Sequence, residues 1–221
     1  MNAAEEPLLG WLAAEVEQEL PELALLSTDA RIAREEAATE LSPPDIRARL
    51  RALSDRFRGA RAVSIRREPV PAAYRVFFRH IGLDPDVEHT PIEAAVLERM
   101  LRGGFLSGGL LEDVLLIALI DTAVAVWALD AESVDGPLGI RPSRAGERLG
   151  DGGELEELPV GSLVVADSTS ALASLFGEPA AAHSAGRATR ALRLYAIQVP
   201  GVPRIYVEEA LWSCRSALEL T

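Results

Sequence analysis

Three pieces of sequence in the second half of the chain decide its fold: Leu163-Val-Val-Ala-Asp167, Ala171-Leu-Ala-Ser-Leu-Phe176-Gly-Glu178, and the alternating run from Leu192 to Val199 that follows Thr189. A short apolar run that ends in an acidic residue is typical of a buried strand followed by a turn. The second run begins only a few residues later, so the first two predict a hairpin. A Gly-Glu corner then leads to the final strand. This part of the chain therefore predicts antiparallel β structure.

The remaining sequence has mainly helical patterns. Apolar residues at helical spacing, with proline or glycine at the ends, predict helices at 7–20, after Pro43-Pro44-Asp45, and at 72–82, 91–102, 110–122 and 208–220. Short strands are predicted at 23–26, 123–129 and 138–141, with a turn at 27–29. Helices followed by strands and a closing helix indicate an α+β fold rather than a doubly wound sheet.

Two helix ends carry specific local signals. Thr90-Pro-Ile-Glu93 combines a cap residue, a proline at the first helical position and a glutamate three residues after the cap. Gly82 follows a predicted helix at the position where a left-handed residue is common. These signals predict a helix that begins at residue 91 and another that ends before residue 82.

The charge of the chain weighs against nucleic acid as its main partner. The 221 residues carry a formal net charge of −12, and phosphate neutralisation needs a surplus of basic side chains. The chain has no lysine, and its arginines concentrate between residues 47 and 67: Arg47, Arg49, Arg51, Arg56, Arg58, Arg61, Arg66 and Arg67. Two interpretations are open, a local basic face or a solvated helix face with acidic neighbours.

Composition excludes several classes of site. The single cysteine, Cys214, allows no internal disulfide, and the three histidines lack metal-ligand spacing, so no metal is predicted. The N-terminus lacks the basic region of a signal peptide, and the longest apolar stretch, 114–129, is interrupted by Asp121. We expect a cytoplasmic protein without a membrane partner.

Common catalytic and cofactor motifs are not found. Without lysine, a nucleotide-binding P-loop cannot be built, and no serine elbow or paired-histidine zinc motif occurs. Gly103-Gly-Phe-Leu-Ser-Gly-Gly109 is glycine-rich but lacks a cationic partner, so it is predicted to be a loop between helices. No cofactor is predicted.

The strand, hairpin and Gly-Glu corner resemble the B3/B4 module of the phenylalanyl-tRNA synthetase beta chain, in which the sequence "xxIAD…xxxGxMGGE…T" closes the module. Several upstream segments are similar to the same family. They are residues 19–26, Tyr74-Arg-Val-Phe-Phe-Arg-His-Ile-Gly-Leu-Asp-Pro85, residues 90–104, residues 108–119 followed by Trp127-Ala-Leu-Asp130, and Arg141-Pro-Ser-Arg-Ala-Gly146-Glu147-Arg-Leu149. The resemblance covers residues 71 to about 203. It implies a B3/B4-like module at 71–221, with an antiparallel or mixed sheet or a barrel flanked by helices. Residues 1–70 would be a helical and strand extension packed on it, or 1–221 one continuous domain.

The resemblance also implies an activity and a set of site residues. In that family the nearby pocket hydrolyses amino acids wrongly attached to tRNA, so tRNA or aminoacyl-tRNA would be the partner. Glu178 would be the catalytic residue that aligns water. The substrate-binding residues would be Trp127, Asp113, Asp130, Arg187, Thr189 and Gly177.

Three pocket positions depart from the family pattern. An asparagine is replaced by Leu116, a hydroxyl position by Leu119, and the substrate-contacting histidine by Trp127. These changes remove hydrogen-bond donors that ester hydrolysis needs. A second hypothesis is therefore a non-catalytic binding module, with a small apolar ligand such as an amino acid side chain, or a partner peptide, in the pocket.

Structural roles are open for the same residues. Asp113 is suited to capping a neighbouring segment, and Asp130 and Asp167 to closing turns. Trp127 is also typical of a core residue. Glu178 precedes Pro179 and is also typical of a solvated loop. Gly177 is most simply a backbone position with a positive φ.

Overall fold

A computed structural model describes residues 6–33, 41–57, 63–149, 156–186 and 188–219. The α+β prediction is confirmed. The helices of this part of the chain are α1 (Ala14–Glu19), α2 (Pro44–Arg56), α3 (Pro69–His80), α4 (Pro91–Arg102), α5 (Leu110–Thr122) and α6 (Arg204–Glu219). Its strands are β1 (Leu8–Leu9), β2 (Trp11–Leu12), β3 (Ala24–Arg31), β4 (Val126–Asp130), β5 (Gly139–Pro142), β6 (Arg148–Leu149), β7 (Glu156–Glu157), β8 (Leu163–Ala166), β9 (Ala171–Ser174) and β10 (Ala191–Gln198).

The first sheet has the order β1-β3-β10-β4 and is antiparallel throughout. The central strand β10 pairs with β3 from Ala191↔Arg31 to Gln198↔Ala24, and with β4 on its other side. Its residues alternate between buried and half-buried only at the start, and from Leu194 to Ile197 all are buried. Strand β10 is therefore covered on both faces.

The second sheet has the order β2-β5-β8-β9, in which only β2 and β5 are parallel. Both four-stranded sheets are open, so the barrel alternative is not what this chain adopts. The chain passes from the first sheet to the second at Gly10, where a Cβ atom would lie 2.7 Å from the carbonyl oxygen of Leu138. Both sheets thus include strands from before and after residue 70, and the domain boundary stays a prediction.

Helix α6 covers the first sheet and packs against α5, which in turn contacts α2. Its inward face consists of side chains that are fully or almost fully buried: Val207, Ala210, Leu211, Cys214 and Leu218. Burial raises the pKa of the Cys214 thiol. This cysteine is therefore a small core residue rather than a reactive one.

Two local predictions near the N-terminus were wrong. Residues 7–20 form a helix only from Ala14, because β1 and β2 pair with the two sheets and the Trp11 indole N–H donates to the Pro137 carbonyl oxygen (3.0 Å). The predicted turn at 27–29 lies inside β3, which continues to Arg31 because β10 pairs with it over its full length. In both places tertiary pairing overrides the local pattern.

The signals at two helix ends were correct. Thr90 and Glu93 form a capping box at the start of α4, with the Thr90 hydroxyl donating to the Glu93 carboxylate at 2.7 Å. The other oxygen of that carboxylate accepts from the buried Arg75 guanidinium at 2.5 Å. Gly82 has a φ of +86° after α3. The capping box therefore also connects α4 to α3.

An ion pair closes the turn that follows β5. The Arg141 guanidinium donates to both oxygens of Glu147, at 2.8 and 2.5 Å, and the Arg144 backbone N–H donates to the same carboxylate. The hydrogen bond from Arg141, opposed by burial and assisted by Arg144, lowers the pKa of Glu147 from 4.5 to about 2. The ionised form of Glu147 is thus favoured by folding.

We expect this ion pair to contribute acid sensitivity. The folded pKa of Glu147 lies below the unfolded value, so its stabilisation is complete above pH 4.5 and is lost as the pH falls towards 2. Glu147→Gln should lower the free energy of unfolding at pH 7 by on the order of 2 kcal/mol. The variant should also lose less of that free energy than the wild type as the pH falls from 4.5 to 2. Urea titrations from pH 2 to 7 measure this, with the exposed Glu157→Gln as control; equal pH slopes in wild type and Glu147→Gln would contradict it.

Candidate functional site

A cavity of about 510 Å³ lies between α4, α5, β4 and the segment that follows β9. Helix α5 and the segment after β9 each supply five of its lining residues, and strand β4 supplies three. The lining residues are His89, Pro91, Ala94, Leu111, Glu112, Leu115, Leu116, Leu119, Ala125, Val126, Trp127, Ala128, Phe176, Glu178, Pro179, Ser184 and Ala185. The structure therefore brings Glu178 and Trp127, two of the predicted site residues, to one cavity with Leu116 and Leu119.

The polar and apolar side chains of this cavity differ in burial. Val126 and Trp127 on β4 are buried, and the leucines of α5 are half-buried. The side chains that can carry charge, His89, Glu112 and Glu178, are all exposed. The cavity thus has an apolar interior and a polar mouth, and no arginine lines it among the described residues.

The floor of the cavity is an aromatic stack. The Trp127 ring lies 5.5 Å from that of Tyr195 on β10, with 16° between the two planes. Burial, together with the negative charge of Glu178, raises the pKa of the Tyr195 hydroxyl. The Glu178 carboxylate therefore acts electrostatically on the floor of the cavity.

A tight turn after β9 places Glu178. The Gly177 backbone N–H donates to the Ser174 carbonyl oxygen (2.9 Å), and Ala173 forms an antiparallel bridge with Pro179. These contacts reverse the chain, so Glu178 returns along β9 and reaches the mouth.

The predicted positive φ at Gly177 is wrong by one residue. Phe176 has a φ of +65°, whereas Gly177 is not among the positive-φ residues. A glycine at 177 is favoured for a different reason, because a Cβ atom there would lie 3.2 Å from the Ser174 Cβ. The motif that this stretch resembles has glycine at both positions, so Phe176 stands where that motif has its first glycine.

Asp113 holds the loop that precedes α5. Its carboxylate accepts from the Ser42 hydroxyl (2.6 Å), the Ser107 hydroxyl (2.5 Å) and the Gly108 backbone N–H (2.9 Å). The side chain is buried and is not among the cavity-lining residues. These bonds tie the segment before α2 and the glycine-rich loop to the first turn of α5.

Asp130 and Thr189 meet at a second place, beyond the end of β4. The Thr189 hydroxyl donates to one Asp130 oxygen at 3.0 Å, and the Glu132 backbone N–H donates to the other. Both residues line a separate cavity of about 730 Å³ together with Arg31. Arg187 lies outside the described residues.

Asp167 fixes the β8–β9 hairpin. One oxygen accepts from the backbone N–H groups of Thr169 and Ser170, and the other from that of Asp135. Burial raises the pKa of Asp167, but these donors outweigh it and lower the pKa below its ordinary range. Asp167 thus remains a carboxylate with its oxygens directed to the backbone.

Two arginines of α2 lie beside an acidic residue. Arg49 and Arg56 both face Asp121 at the end of α5, at 2.7 and 3.7 Å. Arg99 and Arg102 lie closer to the 510 Å³ cavity that Trp127 and Glu178 line, which we call the main cavity. They line a small cavity of about 60 Å³ that shares Leu116 with the main cavity. Arg58 and Arg61 lie outside the described residues.

The cavity residues that were not predicted from the sequence include the polar or aromatic side chains of His89, Glu112, Phe176 and Ser184. His89 directly precedes the cap residue of α4, and Glu112 lies in the first turn of α5, where an acidic residue is ordinary. Only the pairing of Leu129 with Ser184 brings the 183–185 segment alongside β4. No local pattern signals that contact.

Neither a metal site nor a membrane-spanning helix is found in the described residues. No group of three or more histidine, cysteine, aspartate or glutamate side chains there is placed to hold a metal ion. None of the described helices combines the length and hydropathy needed to cross a bilayer.

The chain is similar in part to a phenylalanine–tRNA ligase beta subunit, that of Xanthomonas axonopodis pv. citri (strain 306). The two are 38% identical over 68 residues, which is 31% of this chain and 8% of that protein. The relationship is distant. No protein-family model matches the chain.

We expect the Asp113 bonds to matter for stability. Asp113→Ala removes an acceptor from three donors, two of them hydroxyls, and should lower the free energy of unfolding by about 3 kcal/mol. Ser107→Ala removes one of these bonds and should cost about 1 kcal/mol. Urea midpoints measure both. If Asp113→Ala left the urea midpoint unchanged but abolished ligand binding, Asp113 would be a substrate-binding residue and not a stabilising one.

Proposed function

We propose that this chain is a B3/B4-like protein that binds the aminoacyl group of a charged tRNA in the main cavity and hydrolyses its ester bond. The observation that carries the proposal is the position of Glu178, an exposed carboxylate at the mouth of an apolar cavity floored by Trp127. The partial similarity to a phenylalanine–tRNA ligase beta subunit supports a tRNA-related role.

The cavity has an apolar interior and a polar mouth, and each suits a different end of an amino acid. Its volume is within the range of small-ligand sites. An apolar side chain fits among Leu116, Leu119 and Trp127. The α-ammonium group fits beside Glu112 and Glu178 at the mouth, since an opposite charge there is favourable. The ester then faces solvent, where the tRNA terminus lies.

Hydrolysis at this position needs a base and a donor. Glu178 accepts a proton from water as the water oxygen bonds to the carbonyl carbon; the bond to the ribose oxygen then breaks, and that oxygen takes the proton. The Ser184 hydroxyl and the His89 ring line the same cavity and are the candidate donors to the carbonyl oxygen. His89 Nδ1 lies 3.3 Å from the Pro85 carbonyl oxygen, which can only accept, so this contact places the proton of a neutral ring on Nδ1. A neutral ring then has no proton on Nε2, so the Ser184 hydroxyl is the donor that this arrangement favours.

The tRNA backbone requires positive charge near the mouth. Arg99 and Arg102, which line the small cavity beyond Leu116, are candidates for this contact. Arg99 donates to the Ser54 carbonyl oxygen through one terminal nitrogen (2.9 Å), while Arg102 pairs with Glu98 on the exposed surface of α4. On a chain of net charge −12, this contact would be local and sensitive to salt.

The test is deacylation of a panel of mischarged tRNAs. Glu178→Gln keeps the size of the side chain but removes the base, so the hydrolysis rate should fall about a hundredfold or more. Glu22→Gln, an exposed change outside the cavity, should keep the wild-type rate. Deacylation of no substrate by the wild-type protein would exclude the hydrolase.

A second candidate function is binding without chemistry. The aliphatic side chains of Leu116 and Leu119 favour it, because they supply no donors to a reacting ester. In that case the cavity would retain a free amino acid or a similar small ligand.

Calorimetry with leucinamide and N-acetyl-leucinamide tests whether the cavity takes an amino acid at all. The free amide should bind more tightly, since acetylation removes the charge that faces the two glutamates. Glu112→Gln should weaken the free amide by about threefold and leave the acetylated amide unchanged. Equal affinities for both amides would contradict the placement of the ammonium group.

A further inference from the structure

Phe176 has an unusual backbone for its residue type. Its φ of +65° is in the left-handed region, which a bulky side chain seldom adopts. Ala123 is the other non-glycine residue with positive φ in the described chain, and it ends a helix. A strained residue of this kind persists where its surroundings fix it, and such residues concentrate at binding sites.

The surroundings that fix Phe176 are aromatic. Its ring centroid lies 5.0 Å from that of Phe78, 5.9 Å from Tyr74 and 6.0 Å from Phe77, all three on α3. On the other side it lies 6.2 Å from Trp127. Edge and tilted contacts of this kind are favourable between aromatic rings. The Phe176 ring therefore fills the space between α3 and the floor of the cavity.

The same ring is a wall of the cavity, and its α3 neighbours are not among the lining residues. Glycine at 176 would adopt the positive φ without strain and would leave the space of the ring open to the cavity. The left-handed backbone at 176 therefore does not explain why a phenylalanine stands there, because a bulky side chain disfavours that conformation. What the ring contributes is packing and a smaller cavity.

We propose that Phe176 determines specificity by limiting the size of the apolar group that the cavity accepts. This inference rests on the proposed binding of an amino acid group in the cavity. The ring stands between Trp127 and α3, so a ligand side chain that passes Leu116 and Leu119 ends against it. Removing the ring extends the cavity towards Phe78 and Tyr74.

The experiment measures dissociation constants of alaninamide, leucinamide, phenylalaninamide and tryptophanamide by calorimetry. Phe176→Gly should improve the affinity for tryptophanamide relative to alaninamide by about tenfold, and Phe176→Leu by less. Phe78→Leu is the matched control, because it loosens the same aromatic cluster without removing a cavity wall, and it should leave the order of affinities unchanged. Circular dichroism reports whether each variant is folded, and Phe176→Leu keeps the test decisive if Phe176→Gly does not fold.

The outcomes separate this inference from the proposed function. Wild-type binding of amides with the same order of affinities in Phe176→Leu and Phe176→Gly overturns the specificity role alone. A changed order in Phe78→Leu as well shows that the whole cluster, not the wall, sets the size, and also overturns it. Binding of no amide to wild type overturns the amino acid site and the role of Phe176 with it.

Discussion

The pairing of β10 with two other strands is the constraint on which the rest of the structure depends. Strand β10 binds β3 over eight residue pairs and β4 over five, so it joins the N-terminal, middle and C-terminal parts of the chain. The β4 register sets Trp127 beside Tyr195, and their stacked rings form the floor of the cavity. A shift of one residue would turn Trp127 to the other face. The cavity therefore exists only in this register.

Acidic residues have two distinct uses in this chain. Asp113, Asp130 and Asp167 each accept hydrogen bonds from backbone or hydroxyl donors and so hold loops in place. Glu112 and Glu178 are instead exposed at the mouth of the cavity. Short aspartate side chains reach their own backbone easily, whereas a glutamate extends beyond it. This difference separates the structural acids from those available to a ligand, although sequence similarity alone would group Asp113 with Glu178.

Sequence predicted the elements whose signals are local. Thr90-Pro-Ile-Glu93 contains both partners of its capping box within four residues, and the alternating run at 192–199 forms β10. The segment at 7–20 was mistaken for a helix because its strands depend on partners more than a dozen residues away. The cavity was predicted only where a motif marked it, at Leu116, Leu119, Trp127 and Glu178. Ser184 and His89 join it through contacts that no local pattern contains.

The apolar side chains of the cavity reduce the number of hydrogen bonds that it can offer a ligand, but they leave it open. Leu116, Leu119 and Trp127 stand where the pattern that this chain resembles has polar side chains, and they line an open cavity of about 510 Å³. A core that had only lost its function would be expected to collapse, because an empty apolar cavity forfeits contacts on one side. Phe176 also lines this cavity, although its backbone is left-handed. If the cavity binds an amino acid group as proposed, its apolar lining favours a ligand that is smaller or less polar than one selected by asparagine and histidine.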